Sequence, residues 1–178
     1  MRPAAPGARP APRLRPADRA PRNQRGLTRP HPISHGPAPS PRLTLHATCV
    51  RWHDRGVLIE GASGAGKSDL ALRLVDAGAE LVADDVVALE RIGRRLVAHG
   101  IGLPGHLEVR GQGIYRVAAA DSADLAVAVI LGGRHGERLP KPAVRELLGI
   151  ELPVIPIDAT AASAVMRLRI ALLGTRIA

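Results

Sequence analysis

From Leu43 onward the chain reads as short aliphatic runs separated by glycines, whereas residues 1–42 carry no sustained apolar periodicity. Leu43 to Val50 alternates apolar and polar side chains in part, as a half-buried strand does, and His53-Asp54-Arg55-Gly56 reads as the turn leading out of it. Val57-Leu58-Ile59-Glu60 predicts a short buried strand. Gly61 to Ser68 follows as a glycine-rich loop. Leu70, Ala71, Leu74 and Val75 then share one helical face, and Gly78 is placed to end that helix. Leu81-Val82-Ala83 is a second apolar run, closing on Asp84-Asp85. Strand, loop, helix, strand predicts a βαβ unit with two neighbouring parallel strands.

Val86 to Leu89 and Leu96 to Ala98 flank Gly93-Arg94-Arg95, which predicts a hairpin. Gly100-Ile101-Gly102-Leu103-Pro104-Gly105 is too rich in glycine for a regular element and predicts a mobile loop or a tight crossing. Leu107 to Arg110 and Ile114 to Val117 bracket another glycine-rich turn. Leu125 to Leu131 is apolar throughout, as in a strand covered on both faces. Pro142 to Leu148 and Ala161 to Leu173 predict helices, and no internal repeat is present.

Composition adds a boundary. With 178 residues, 46% of them apolar, the chain has room for one core. The formal charge of +9 would suggest a polyanionic partner, but it is not spread evenly. Residues 1–42 hold nine Arg, one acidic residue and 11 of the 16 Pro; the remainder holds 16 basic and 15 acidic residues. Residues 1–42 are therefore expected to be a disordered Pro/Arg-rich tail, and 43–178 the folded domain. The two aromatics, Trp52 and Tyr115, offer no stacking platform for single-stranded nucleic acid, so no specific nucleic-acid partner is expected. There is no apolar run of transmembrane length and no secretory h-region, so a cytoplasmic location without a membrane partner is expected. Cys49, the single cysteine, reads as a small buried hydrophobe.

Gly61-Ala62-Ser63-Gly64-Ala65-Gly66-Lys67-Ser68 satisfies G-x-x-x-x-G-K-[ST], the Walker A pattern, between a predicted strand and a predicted helix. Glycines let successive N–H groups curl towards phosphate oxygens, and the helix adds its positive dipole end. Lys67 would reach the β- and γ-phosphates of a nucleoside triphosphate, and Ser68 would ligate Mg²⁺. The chain has 23 Arg and only two Lys, one of them at this position. A compact ammonium fits between two phosphates where a planar guanidinium does not.

Phosphoryl transfer also needs a proton acceptor and charge neutralisation. Asp84 and Asp85, at the end of the neighbouring strand, are candidates; adjacent residues of an extended chain face opposite sides, so the two should have different jobs. Glu108, in an alternating strand before Gly111-Gln112-Gly113, would suit a second oxygen ligand for Mg²⁺.

These residues resemble the HPr kinase/phosphorylases. Leu45-His46-Ala47 looks like that family's short segment with a catalytic His, and Gly61 to Ser68 matches its loop. Leu81 to Asp85 matches its Leu-[Ile/Val]-Ala-Asp-Asp strand end, and Leu107 to Ile114 is similar to its signature Leu-Glu-Ile-Arg-Gly-x-Gly-Ile. The resemblance implies an α/β P-loop kinase domain of the phosphoenolpyruvate-carboxykinase-like type, a mixed sheet flanked by helices. It also implies Mg·ATP-dependent phosphorylation of a seryl residue of the phosphocarrier HPr, with a reverse phosphorolytic reaction, and homo-oligomers. Carried across, Gly61 to Ser68 hold the nucleotide, Ser68 and Glu108 the metal, and Asp85 is the first choice for the base. Asp84, His46, Lys67 and Arg138 complete the catalytic set. Where family members carry a Pro-Val-Arg-Pro-Gly-Arg-Asn-like stretch, this chain has Leu152 to Asp158, without the arginines or the glycine. Relatives with an additional N-terminal domain are longer, so the resemblance is to the short, catalytic-domain-only form. Two other readings compete: a non-catalytic ATP-sensing regulator of phosphotransferase-system proteins, and a P-loop kinase of a small metabolite.

Overall fold

The computed structural model describes residues 40–132 and 141–175. In chain order the elements are β1 (Arg42–Leu45), β2 (Thr48–Trp52), β3 (Arg55–Glu60), α1 (Lys67–Asp76), β4 (Glu80–Ala83), β5 (Val87–Ile92) and β6 (Arg95–Gly100). They continue with β7 (His106–Val109), β8 (Gly113–Arg116), β9 (Ser122–Leu131), β10 (Val144–Leu147), β11 (Ile150–Ile157) and α2 (Ala164–Leu173). The tail expectation falls on residues of which 1–39 lie outside the described part; Arg42, placed in the tail from sequence, already pairs in β1 and reaches Glu90 at 3.3 Å.

The strand expected over Leu43–Val50 is two strands. The chain bends at His46-Ala47 because β1 pairs with β5 whereas β2 pairs with β3 and β4, in different parts of a curled sheet. His53 and Asp54, with φ of 49° and 59°, make the tight β2–β3 turn, the backbone conformation that matches strand twist.

The βαβ expectation needs a correction too. β3 and β4 run parallel, but β2 lies between them: the sheet order is β1-β5-β6-β9-β3-β2-β4. A two-residue turn brings β2 onto the edge of β3 at little loop-closure cost, so the strand arriving through α1 lands one place further out.

The predicted helix over Pro142–Leu148 is instead β10, paired antiparallel with β11 through Leu148 and Gly149, with φ of 52° and 73°. Val144, Leu147 and Leu148 have helical spacing. However, the first half of β11 needs a backbone partner before its second half joins β9, and β10 supplies it. The β5–β6 hairpin and the central β9 stand as expected, and the second predicted helix begins three residues late, as α2.

β9 organises the sheet. β3 occupies one of its edges, parallel, along Leu125–Ile130; the other edge is shared between β6, at Ser122–Asp124, and β11, at Ala128–Leu131. That fork lets the sheet curl over itself, and two cores result. Val57 and Ile59 face α1 and α2, through Leu70, Leu74, Leu168 and Leu172. Leu58 faces the other way, towards Val87, Leu89, Leu96, Leu147 and Leu152. Both helices thus pack on one side, and the opposite side is closed by the sheet's own strands, not by the helices expected there. Each such side chain contributes about 1.5–3 kcal/mol by leaving water. Helix ends are satisfied from β2 and β3: Trp52 Nε1 donates to Ala77 O (3.3 Å) and Arg55 to Leu172 O (2.7 Å).

The glycine-rich stretch after β6 is a tight crossing. A Cβ on Gly100 would run into the carbonyl oxygen of Val82, so only glycine lets β6 pass β4 this closely.

Candidate functional site

The loop between β3 and α1 is shaped by Gly66, which caps the helix in the left-handed conformation (φ 93°) with no side chain capping the first turn. A Cβ there would lie 3.1 Å from the Ala159 Cβ, so residue 66 is constrained by conformation and by space. The result is a helix start whose N–H groups are left for an anion. Lys67 Nζ donates to the carbonyls of Gly61 (3.1 Å) and Ala62 (3.2 Å), which hold the ammonium over the loop. Ala65 N donates to Ala62 O (3.1 Å), closing the loop on itself.

In front of the loop is a cleft of about 650 Å³. It is lined by Ser63, Gly64, Gly66, Lys67 and Ser68 from the loop and helix start, by Asp85, and by Glu108, Val109, Arg110 and Gln112 from the β7–β8 hairpin. That hairpin is a separate two-stranded sheet, with Gly111 and Gly113 at positive φ in its turn. Tertiary structure therefore brings Lys67, Ser68, Asp85 and Glu108 to one cavity.

Asp84 is directed elsewhere. It is half-buried, and its Oδ1 accepts from Ser68 Oγ (3.0 Å) and from Thr48 Oγ1 (3.0 Å). It lines a second cavity, of about 290 Å³, between the end of β4 and the Gly100–Gly105 crossing. Asp85 is exposed, with φ 65°, in a turn closed by Val86 N donating to Asp84 O (2.8 Å). A non-glycine residue there stores about 1–3 kcal/mol of strain, and such strain concentrates at working sites. The two carboxylates are separated as the sequence leads one to expect, but through the positive-φ turn at Asp85 and not through alternation along a strand.

His46 sits exposed at the β1–β2 bend and does not line the cleft. The amide of the next residue, Ala47, donates to Asp85 O (3.2 Å), tying the bend to the acidic turn. Gly61, Ala62 and Ala65 do not line the cleft; the carbonyls of Gly61 and Ala62 hold Lys67 instead. Arg138 lies outside the described residues.

Sequence reasoning missed Thr48 and the cleft position of Gln112. Thr48 had one signal: a hydroxyl inside the run Ala47-Thr48-Cys49-Val50, which a buried strand keeps only if it is bonded. Next to it, burial pushes the Cys49 thiol up to about 12. On the same strand, the hydrogen-bonded Glu80 carboxylate raises Arg51 above its ordinary value; Arg51 Nε and Nη2 reach it at 2.9 and 2.6 Å.

Among the described residues no three His, Cys, Asp or Glu side chains converge as a metal cage. The residues lining the cleft that could serve a metal, Ser68, Asp85 and Glu108, all offer oxygens. That set suits Mg²⁺, which protein sites hold through few ligands together with substrate phosphates.

Residues 38–122 match the family model described as HPr Serine kinase C-terminal domain. The chain is 37% identical over 134 residues to an HPr kinase/phosphorylase from Caldicellulosiruptor bescii, covering 66% of this chain and 43% of that one. With the homologue of Nitrosomonas europaea it is 36% identical over 138 residues, covering 67% and 43%. It thus spans less than half the length of these curated relatives. Among solved structures, the Hpr(Ser) kinase/phosphatase from Coxiella burnetii superposes with a TM-score of 0.63 at 26% identity, covering 71% of this chain and 91% of that one. The matched residues contain the loop, the acidic turn and the β7–β8 hairpin that build the cleft, and over them sequence and fold agree in their likeness to the HPr kinase/phosphorylase family.

Proposed function

We propose that the chain is the P-loop catalytic domain of an Mg·ATP-dependent protein serine kinase, of the phosphoenolpyruvate-carboxykinase-like type, acting on an HPr-like phosphocarrier protein in the cytoplasm. The observation that carries this reading is the convergence of Lys67, Asp85 and Glu108, from three separate elements, on one cleft in front of an uncapped helix start.

In this reading the loop amides of residues 61–68 and Lys67 bind the triphosphate, with the α1 dipole adding to the attraction. Ser68 and Glu108 are the residues that would hold Mg²⁺, which when bound neutralises phosphate charge. Asp85, exposed on the cleft, accepts the proton of the incoming serine hydroxyl. The serine oxygen then forms its bond to the γ-phosphorus as the bond to the β-bridging oxygen breaks and ADP leaves. His46, linked to the acidic turn through the Ala47 amide, supports Asp85. Arg138 is proposed as a further catalytic group from the family resemblance alone. The reverse, phosphorolytic reaction and assembly into homo-oligomers remain part of the proposal. A merely ATP-sensing regulator would need no base, and a strained acidic residue facing the cleft favours the enzyme.

Transfer of labelled γ-phosphate to purified HPr tests the reading. Transfer by the wild-type chain that is lost in the Asp84→Ala, Asp85→Ala double variant supports it; no transfer, or undiminished transfer by the double variant, overturns it.

A further inference from the structure

The Thr48 hydroxyl is the one fully buried polar side chain among the described residues. It stands at the start of β2, where Cys49 pairs with Ala83 of β4, so the residue before it falls beside the first residue after β4, Asp84. Its Oγ1 donates to Asp84 Oδ1 at 3.0 Å, and Ser68 Oγ donates to the same oxygen at 3.0 Å. A carboxylate oxygen has two lone pairs, and both are used here. Thr48 cannot turn to water, and its β-branched side chain has few rotamers, so this bond fixes the carboxylate. The carboxylate in turn fixes the direction of the Ser68 O–H, which leaves the Ser68 lone pairs free to face the cleft.

We infer that Thr48 is a positioning residue of the nucleotide site: it orients the Asp84 carboxylate, which orients Ser68 as a ligand for Mg²⁺. The inference rests on the proposed Mg·ATP site and adds a role for a residue that touches neither nucleotide nor metal. Partners that hold a metal ligand in place from behind typically contribute 10- to 100-fold in metal affinity.

The test titrates a fluorescent ATP analogue into the full chain with and without Mg²⁺, comparing wild type, Thr48→Val and Thr48→Ser. Thr48→Val keeps the volume and removes the donor; Thr48→Ser keeps the donor. The expected result is that Thr48→Val loses about tenfold of the Mg²⁺-dependent tightening, binds the metal-free analogue as wild type does, and is rescued in Thr48→Ser. Equal weakening with and without Mg²⁺ would assign Thr48 a packing role and overturn the inference, as would an unchanged Thr48→Val or a Thr48→Ser that behaves like it. Should the Val variant fail to fold, Thr48→Cys, with a much weaker donor, carries the same comparison. A wild-type chain that binds no analogue under either condition sinks the nucleotide-site reading itself, a result distinct from all of these.

Discussion

Asp84 and Asp85 are consecutive residues that open onto different cavities, Asp84 tied to the hydroxyls of Thr48 and Ser68 and Asp85 exposed in the cleft before the glycine-rich loop. Their variants are therefore expected to fail differently. Asp85→Asn should lower phosphate transfer to HPr by about 10²- to 10⁴-fold, the usual contribution of a general base, with nucleotide affinity near wild type. Asp84→Asn should weaken Mg²⁺-dependent nucleotide binding. Steady-state kinetics beside equilibrium binding separates the two, and identical profiles would count against distinct roles.

Gly66→Ala should cost both stability and binding. An alanine at φ 93° pays for a left-handed backbone, about 1–2 kcal/mol, and its Cβ meets the Ala159 Cβ at 3.1 Å. Gly64 has φ 80° but nothing within 4 Å of an added Cβ, so Gly64→Ala should be the milder change. Thermal melts of the two variants check the order.

Burial and ion pairing predict unequal stability effects. Leu58, fully buried under the curled side of the sheet, should lose about 2–5 kcal/mol on replacement by Ala. Arg51→Ala breaks the bond to Glu80, but both side chains are 38% exposed and the pair is screened by water, so the loss should be much smaller than at Leu58. Urea denaturation of both variants measures the contrast.

Cys49 should be inert in the native state and make the fold sensitive to alkali. Its thiol rises from 9.0 to about 12 on burial, so the folded state keeps the proton that the unfolded state releases. Stability from the neutral thiol is fully present below about 9 and declines as pH rises towards 12. Thiol-reagent kinetics at pH 8 should follow global unfolding, and Cys49→Ala should flatten the alkaline limb of the stability curve. Rapid labelling under native conditions would contradict this.

Local chemistry was legible where its cause is local. The loop from Gly61 to Ser68, the β5–β6 hairpin around Gly93 and the apolar β9 each depend on residues a few positions apart, and each was read directly. Pro142–Leu148 carries helical spacing, and a four-residue strand accommodates the same apolar positions. The choice fell to β11, which needed a partner for its backbone. Thr48 stayed hidden because a hydroxyl in a strand has no visible purpose until the strand end beside it is known.

The chain's own residue order thus set the glycine-rich loop ending in Lys67-Ser68, the acidic pair, the glycine-bearing Glu108 segment and the aliphatic runs that form both cores. Only the folded arrangement decided that β2 separates β3 from β4, that one carboxylate turns inward to two hydroxyls while its neighbour faces the cleft, and that the β7–β8 hairpin closes the far wall. The reason is physical: conformational preference acts over a few residues, whereas strand order and cavity walls follow from which distant backbone edges and apolar faces satisfy one another.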